Sequence, residues 1–272
     1  MPLRFLFVTE DKYPPLRPDV AVLFAEELVS RGHQIDWLLQ AENSRNAPRY
    51  VQWSGGRAWV AKTDTGMSRV SRLRKNLYDM RNDLNMFILV RNNCYDFIQV
   101  KDKFFSPLLA ILIARIYKVR FFYWLSFPFP EAMLYRFKEG ISRYPFVDYI
   151  RGHLFKFLLY RVIMRYATHV FVQSDQMIDD VVNMGVSKGK LTPVPMGVSL
   201  NRIPYTAADE HHETHEKIVV YLGALDKVRR MDFLVRVFHD VLRRVPDAKL
   251  YMIGSSVDPG HAEDLRRLAV EL

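Results

Sequence analysis

The stretch LRFLFVTEDKYPPLRPDVAVLFAEELVSRGHQIDWLL, residues 3–39, decides how the chain is read. Leu3–Val8 is a short apolar run of the kind buried on both faces of a parallel sheet. Thr9–Pro18 is rich in proline and reads as a loop, and Asp19 offers a side-chain oxygen to cap a helix. Ala21, Val22, Ala25, Leu28 and Val29 then recur at helical spacing, and Gly32 stops the helix. Gln34–Leu39 is a second strand. Strand, helix, strand is a βαβ unit, which requires a parallel sheet and a right-handed crossover.

The alternation continues outward. Strands are expected at Arg57–Ala61, Phe97–Val100, Arg120–Leu125, His169–Gln173 and Leu191–Val194. A long basic helix is expected over Ser68–Arg91, with further helices at Leu108–Tyr117 and Gln176–Met184. Residues 1–200 thus read as a doubly wound α/β, Rossmann-like domain. Residues 201–216 are polar, hold Pro204 and read as an exposed linker. His211, His212 and His215 in it lack the spacing of a helical zinc pair. From residue 217 a second α/β unit begins, with strands at Ile218–Leu222 and Lys249–Ile253 and helices at Met231–Arg244 and His261–Leu272. That is half of a doubly wound domain, because two strands cannot bury both faces of a sheet.

Composition narrows the class. At 272 residues, with 49% hydrophobic and 25% charged, the chain can build a real core and is not disordered. A single cysteine, Cys94, excludes a disulfide framework and a cysteine zinc site; it fits a reducing compartment and is expected in the core. No secretory signal is visible, and the longest uncharged stretch, Phe104–Ala114, is far short of the roughly 20 residues a membrane span needs.

The net charge of +9 falls in two windows. Residues 67–91 hold six basic residues against two acids, and residues 134–166 hold seven against two. Such windows suit an anionic partner, phosphate or lipid headgroup, although solvated helix faces carry charge too. The second window also holds nine aromatic residues, and Phe155, Leu159, Val162, Ile163 and Tyr166 share one helical arc, a pattern that suits either a bilayer headgroup region or packing between domains. No RNA- or DNA-binding motif accompanies the basic residues, so nucleic acid is not expected.

Two stretches carry a family resemblance. HVFVQSDQMIDDVVNMGVSKGKLTPVPMGVSL, residues 169–200, resembles the close of the N-terminal domain in group 1 (family 4) GT-B glycosyltransferases, through Ser174, Gly185, Val186, Lys190, Pro195, Gly197 and Val198. VVYLGALDKVRRMDFLVRVFHDVLRRVPDAKLYMIGSS, residues 219–256, resembles the opening of that family's donor-binding domain, through Tyr221, Gly223, Leu225, Asp232, Pro246 and Gly254. The resemblance implies a GT-B-like fold. It also implies transfer of a sugar from a nucleotide-sugar to an acceptor hydroxyl, with retention at the anomeric carbon and with neither metal nor other cofactor required.

Under that resemblance Gly223, Arg17 and Gly197 are the donor-binding candidates, and Arg229 and Arg230 the cations that neutralise the departing diphosphate. Ser126, Glu131 and Asp102, after predicted strands, are acceptor-side candidates, and the acceptor is expected to be a saccharide or lipid-linked saccharide. An anionic membrane at the cytoplasmic face is the expected peripheral contact. The chain departs from the family pattern at several points. The first loop reads LRPDV in place of a double glycine, Ala224 stands where arginine is common, and Arg229–Arg230 stands where lysine–glycine is common. The family's glutamate pair for the donor lies beyond Leu272, so the sequence reads as a fragment, or else as a product inactive alone or a non-catalytic binder.

Overall fold

The computed structural model describes residues 1–42, 50–66, 68–142, 144–199, 217–256 and 259–272. The expected linker, 201–216 with its histidines, lies outside the described residues. The chain divides into two compact units, Met1–Tyr135 with Phe146–Pro204 and Arg136–Pro145 with Tyr205–Leu272.

The first unit is built on an eight-stranded sheet in the order β3-β4-β2-β1-β5-β6-β7-β8. Its strands are β1 (Arg4–Tyr13), β2 (Gln34–Ala41), β3 (Tyr50–Trp53), β4 (Gly56–Ala61), β5 (Phe97–Lys101), β6 (Arg120–Leu125), β7 (His169–Val172) and β8 (Leu191–Pro193). All neighbours run parallel except β3, which pairs antiparallel with β4. The α/β, Rossmann-like expectation is met. Side chains alternate between two cores as the strand period of two requires. Leu6, Val8, Ile98, Val100 and Tyr123 face one, and Phe5, Phe7, Ile35, Trp37 and Trp124 the other.

Several local expectations are corrected. The polar tail Thr9–Tyr13 is not loop but the end of β1, because Lys12 and Tyr13 still pair with Gln40 and Ala41 of β2. The first helix, α1 (Pro18–Ala21), starts two residues early, with Pro18 at its first position and Arg17 as cap, and runs on into a π-helical turn at Leu23–Leu28. Asp19 is buried and does not cap. Cys94 is exposed, not a core residue. The long basic helix is two helices, α2 (Arg69–Asp83) and α3 (Asn85–Asn92), separated at Leu84. Next come α4 (Ser106–Tyr117), α5 (Phe129–Lys138), α6 (Pro145–Phe157) with a π-helical turn at Leu158–Ile163, α7 (Met164–Tyr166) and α8 (Asp175–Asn183). The arc over residues 155–166, read as suiting either a headgroup region or packing between domains, turns mostly inward: Phe155, Leu159 and Ile163 are buried, Phe155 stacks on Phe104 with ring centroids 4.5 Å apart, and Tyr166 stays half exposed.

The second unit holds the parallel pair β9 (Ile218–Leu222) and β10 (Lys249–Ile253), with α9 (Met231–Leu242) and α10 (Pro259–Glu271). Leu225, Met231, Val235 and Leu265 form its core. Val219, Val220 and Leu222 of β9 remain exposed.

One buried ion cluster fixes α2. Lys103, 3% exposed, places Nζ 2.8 Å from Asp83 and 2.9 Å from Asp79, and the Ser106 hydroxyl donates to Asp83. Burial pulls the Lys103 ammonium down, but Asp83 and Asp79 outweigh it and hold it above the usual lysine range. Removing one partner of such a group leaves an uncompensated buried charge, which costs about 3–5 kcal/mol. Lys103→Met is therefore expected to lower the melting temperature sharply. Lys103→Met combined with Asp83→Leu should recover part of the loss, and a thermal denaturation series reads both.

Candidate functional site

The sheet order places a topological switch between β1 and β5: from β1 the chain winds one way through β2 to β3, and from β5 it winds the other way to β8. Ligands of open α/β sheets bind at such a switch, beyond the carboxyl ends of the strands. Three of the sequence candidates, Arg17, Asp102 and Ser126, meet there.

Asp102 follows β5 in the left-handed backbone region, φ 57°. An aspartate tolerates that region better than most side chains, and residues held there gather at functional sites. The turn aims its carboxylate at the residue after β6: the Ser126 N–H donates to Asp102 Oδ1 at 2.7 Å, and the Ser126 hydroxyl donates to Oδ2. Arg17, from the loop after β1, donates to Ser126 Oγ at 3.1 Å and grips Asp19 with two bonds of 3.2 and 2.9 Å. Its guanidinium also lies 3.9 Å from Asp102.

Beneath them is a residue that the sequence reading missed. Lys101, the last residue of β5, is 1% exposed and places Nζ 3.2 Å from Asp11, 3.4 Å from Asp19 and 3.4 Å from Asp102. Thr9 adds a hydroxyl bond to Asp11. The signal was present as Lys101–Asp102 directly after the apolar FIQV. A lysine at a strand end reads as solvent-facing by default, and only the switch-point location says otherwise.

The Arg17 side chain stays 40% exposed while its Nε and Nη2 are engaged by Asp19 and Ser126. Glu131 lies outside this network. On α5 its ion-pair partner is Lys156, 3.8 Å away, and its carboxylate faces the Tyr160 hydroxyl. The Tyr160 hydroxyl is driven far above its usual range by burial and by the negative charge of Glu131. Gly197 is exposed in the segment after β8, where a Cβ would meet nothing, so its backbone does not require glycine.

In the second unit the loop after β9 is closely tied. The Gly223 N–H donates to the Ile253 carbonyl at 3.0 Å, so it is not available to a phosphate as the sequence reading supposed. The Leu225 N–H donates to Ser255 at 2.9 Å, and the Tyr221 hydroxyl to the Ala224 carbonyl at 2.8 Å. A Cβ on Gly254 would stand 1.7 Å from the Gly223 carbonyl oxygen, so this glycine lets two strand ends approach. Arg229 closes a 3₁₀ turn and is exposed. Arg230, immediately before α9, has φ 53° and donates to both carboxylate oxygens of Asp232, at 3.2 and 3.3 Å. Those bonds hold Asp232 below the usual carboxylate range. The family pattern places glycine at this position, and the left-handed backbone is the physical reason.

Two outcomes follow. Lys101→Met leaves three carboxylates crowded without their central cation and is expected to cost on the order of 3–5 kcal/mol, read as a fall in melting temperature. Arg230→Gly relieves a backbone that costs an L-residue about 1–2 kcal/mol, so its melting temperature should equal or exceed that of the native chain.

Known proteins place this geometry. No curated protein matches the sequence. Among solved structures, HepE from Anabaena in complex with UDP and glucose is 11% identical with a TM-score of 0.61; the alignment covers 99% of this chain and 66% of that one. The catalytic domain of starch synthase IV from Arabidopsis thaliana, bound to ADP and acarbose, is 10% identical with a TM-score of 0.63, covering 100% and 72%. A UDP-forming α,α-trehalose-phosphate synthase from Burkholderia vietnamiensis is 12% identical with a TM-score of 0.59, covering 98% and 69%. These likenesses are of fold, and the fold is GT-B. The chain spans slightly less than two thirds of the length of HepE. The profile of the glycosyl transferase 4-like domain matches residues 20–197, most of the sequence, from within α1 to just past β8, and the chain belongs to that family.

Proposed function

We propose that this chain contributes to transfer of a sugar from a nucleotide-sugar donor to an acceptor hydroxyl, with retention at the anomeric carbon. The observation that carries the reading is the convergence of Arg17, Asp102 and Ser126 over buried Lys101 at the switch point. Family membership and the UDP- and ADP-bound neighbours support it.

The two sites divide the chemistry by charge. The switch-point network holds Asp11, Asp19 and Asp102 against Lys101 and Arg17, so it offers hydrogen bonds to hydroxyls and no excess positive charge to a phosphate. It suits the acceptor. Positive charge for a departing diphosphate belongs to Arg229 and Arg230, exposed around the start of α9. A guanidinium grips phosphate bidentately, and Arg230 already presents its fork to the Asp232 carboxylate in that way. A diphosphate must displace Asp232 to use it. The leaving phosphate itself receives the acceptor proton, so no strong protein base and no metal enter the reading. The acceptor proposed is a saccharide or a lipid-linked saccharide presented at an anionic membrane face. Among the described residues no helix is long and apolar enough to cross a membrane.

Binding of nucleoside diphosphates tests the donor side. Millimolar UDP, ADP or GDP is expected to raise the melting temperature by mass action. Arg229→Ala with Arg230→Gly should abolish the shift while leaving the unliganded melting temperature in place. In the glycosyl transfer assay the same pair is expected to lower kcat/KM by about 100-fold or more. No shift with any nucleoside diphosphate would favour the other reading, a non-catalytic relative that binds an acceptor or a partner protein.

A further inference from the structure

Helix α2 is packed inside out, while its continuation α3 buries Met86, Leu89 and Val90 in the ordinary way. On the core side α2 buries Asn82 and Asp83 and half-buries Asp79, polar groups that the fold satisfies with Lys103, Ser106 and backbone carbonyls of Leu39 and Trp59. On the opposite side Val70, Leu73, Leu77, Met80, Leu84 and Ile88 are each 53–60% exposed. At about 100° per residue these six fall within an arc of roughly 80°, a continuous apolar stripe along both helices. Phe87 of α3 meets Tyr117 of α4 at 5.6 Å, and α4 adds Leu112 and Ile116, each more than half exposed. A soluble surface does not gather apolar side chains in this way without a use for them.

The charge around the stripe identifies the occupant. Arg74, Arg81 and Arg91 are exposed beside it, and α4 contributes exposed Arg115 and Lys118. The two acids of α2 are turned inward, with side chains 16% and 6% exposed. A second copy packed stripe to stripe would bring these cations together with no exposed acid on either helix to compensate. A helix with leucine-type residues outward and arginines at its flanks matches the boundary of an anionic bilayer, where the apolar arc enters the acyl region and the cations meet headgroups.

We propose that the exposed face of α2, α3 and α4 is a docking surface for anionic lipid bilayers. This places the membrane contact on the first basic window, whereas in the arc of residues 155–166 the core takes Phe155, Leu159 and Ile163. It extends the lipid-linked acceptor reading, and because vesicle binding is measured without sugar or nucleotide, either can fail alone.

Sedimentation of the full chain with phosphatidylglycerol-containing vesicles and with pure phosphatidylcholine vesicles tests it. Binding is expected to the anionic vesicles and to weaken at high salt. Leu73→Ser with Leu77→Ser, and separately Arg74→Gln with Arg81→Gln, should each reduce the bound fraction by about tenfold at an unchanged melting temperature. Leu77→Trp provides a second measurement on a folded chain: its added emission should shift to shorter wavelength on anionic vesicles alone. Sedimentation unaffected by all four substitutions, or no binding at low salt, overturns the proposal. So does self-association lost in the leucine pair without vesicle binding, which assigns the face to a second copy. Capture of an acidic amphipathic peptide in place of vesicles assigns it to a protein partner and overturns it equally.

Discussion

Lys101 is the constraint on which the first unit's site depends. An ammonium group 1% exposed is tolerated only where opposite charge compensates the lost water, and here Asp11, Asp19 and Asp102 do so from three different segments. The same contacts work in reverse. Three carboxylates within reach of one another would repel, and Lys101 is what lets the ends of β1, α1 and β5 converge. Arg17 then binds outward from Asp19 to Ser126, and Asp102 reaches Ser126 from below. The result is a polar floor with fixed geometry at the point where the sheet reverses its winding. Preorganisation of this kind matters for a hydroxyl acceptor, because its orientation must be set before the donor bond breaks.

The sheet was legible because buried parallel strands are apolar along most of their length, and runs such as FLFV, or FIQV with its one buried glutamine, have no other comfortable place in a domain. What was lost was at the edges. Tyr50–Trp53 escaped notice because it is a short edge strand joined to β4 by the turn at Ser54 and Gly55, outside the βαβ rhythm. The tail of β1 was read as loop because its residues are polar, yet the backbone ladder to β2 does not depend on side-chain polarity. At the site, Asp102 and Ser126 could be named from their places after strands. Their mutual contact could not, because it rests on a left-handed turn at Asp102 that no local pattern announces.

Charge counting by window misled where face counting was needed. Residues 67–91 and 134–166 look alike in composition, basic and rich in apolar side chains. In the second window the arc through Phe155, Leu159 and Ile163 is the core contact, and the π-helical turn at Leu158–Ile163 seats Leu159 and Ile163 against the sheet. In the first, the core takes the polar side of α2, because Lys103 sits under it with a buried ammonium that needs carboxylates. Once Asp79 and Asp83 are turned inward, the 3.6-residue period leaves the leucines nowhere to go but out. One buried lysine thus fixes which face of a distant helix meets the surroundings.

Arg230 shows how a departure from a family pattern can be weighed. The family's glycine at this position is explained by the backbone: φ is 53°, and glycine adopts that region freely. Arginine there costs about 1–2 kcal/mol, and its exposed pairing with Asp232 returns less than about 1 kcal/mol. Arg229 precedes Arg230, and Ala224 occupies the place where the family commonly carries arginine, so the loop lacks one cation there and carries one six residues later. Arg229 and Arg230 thereby supply the pair of guanidiniums that the proposed diphosphate requires.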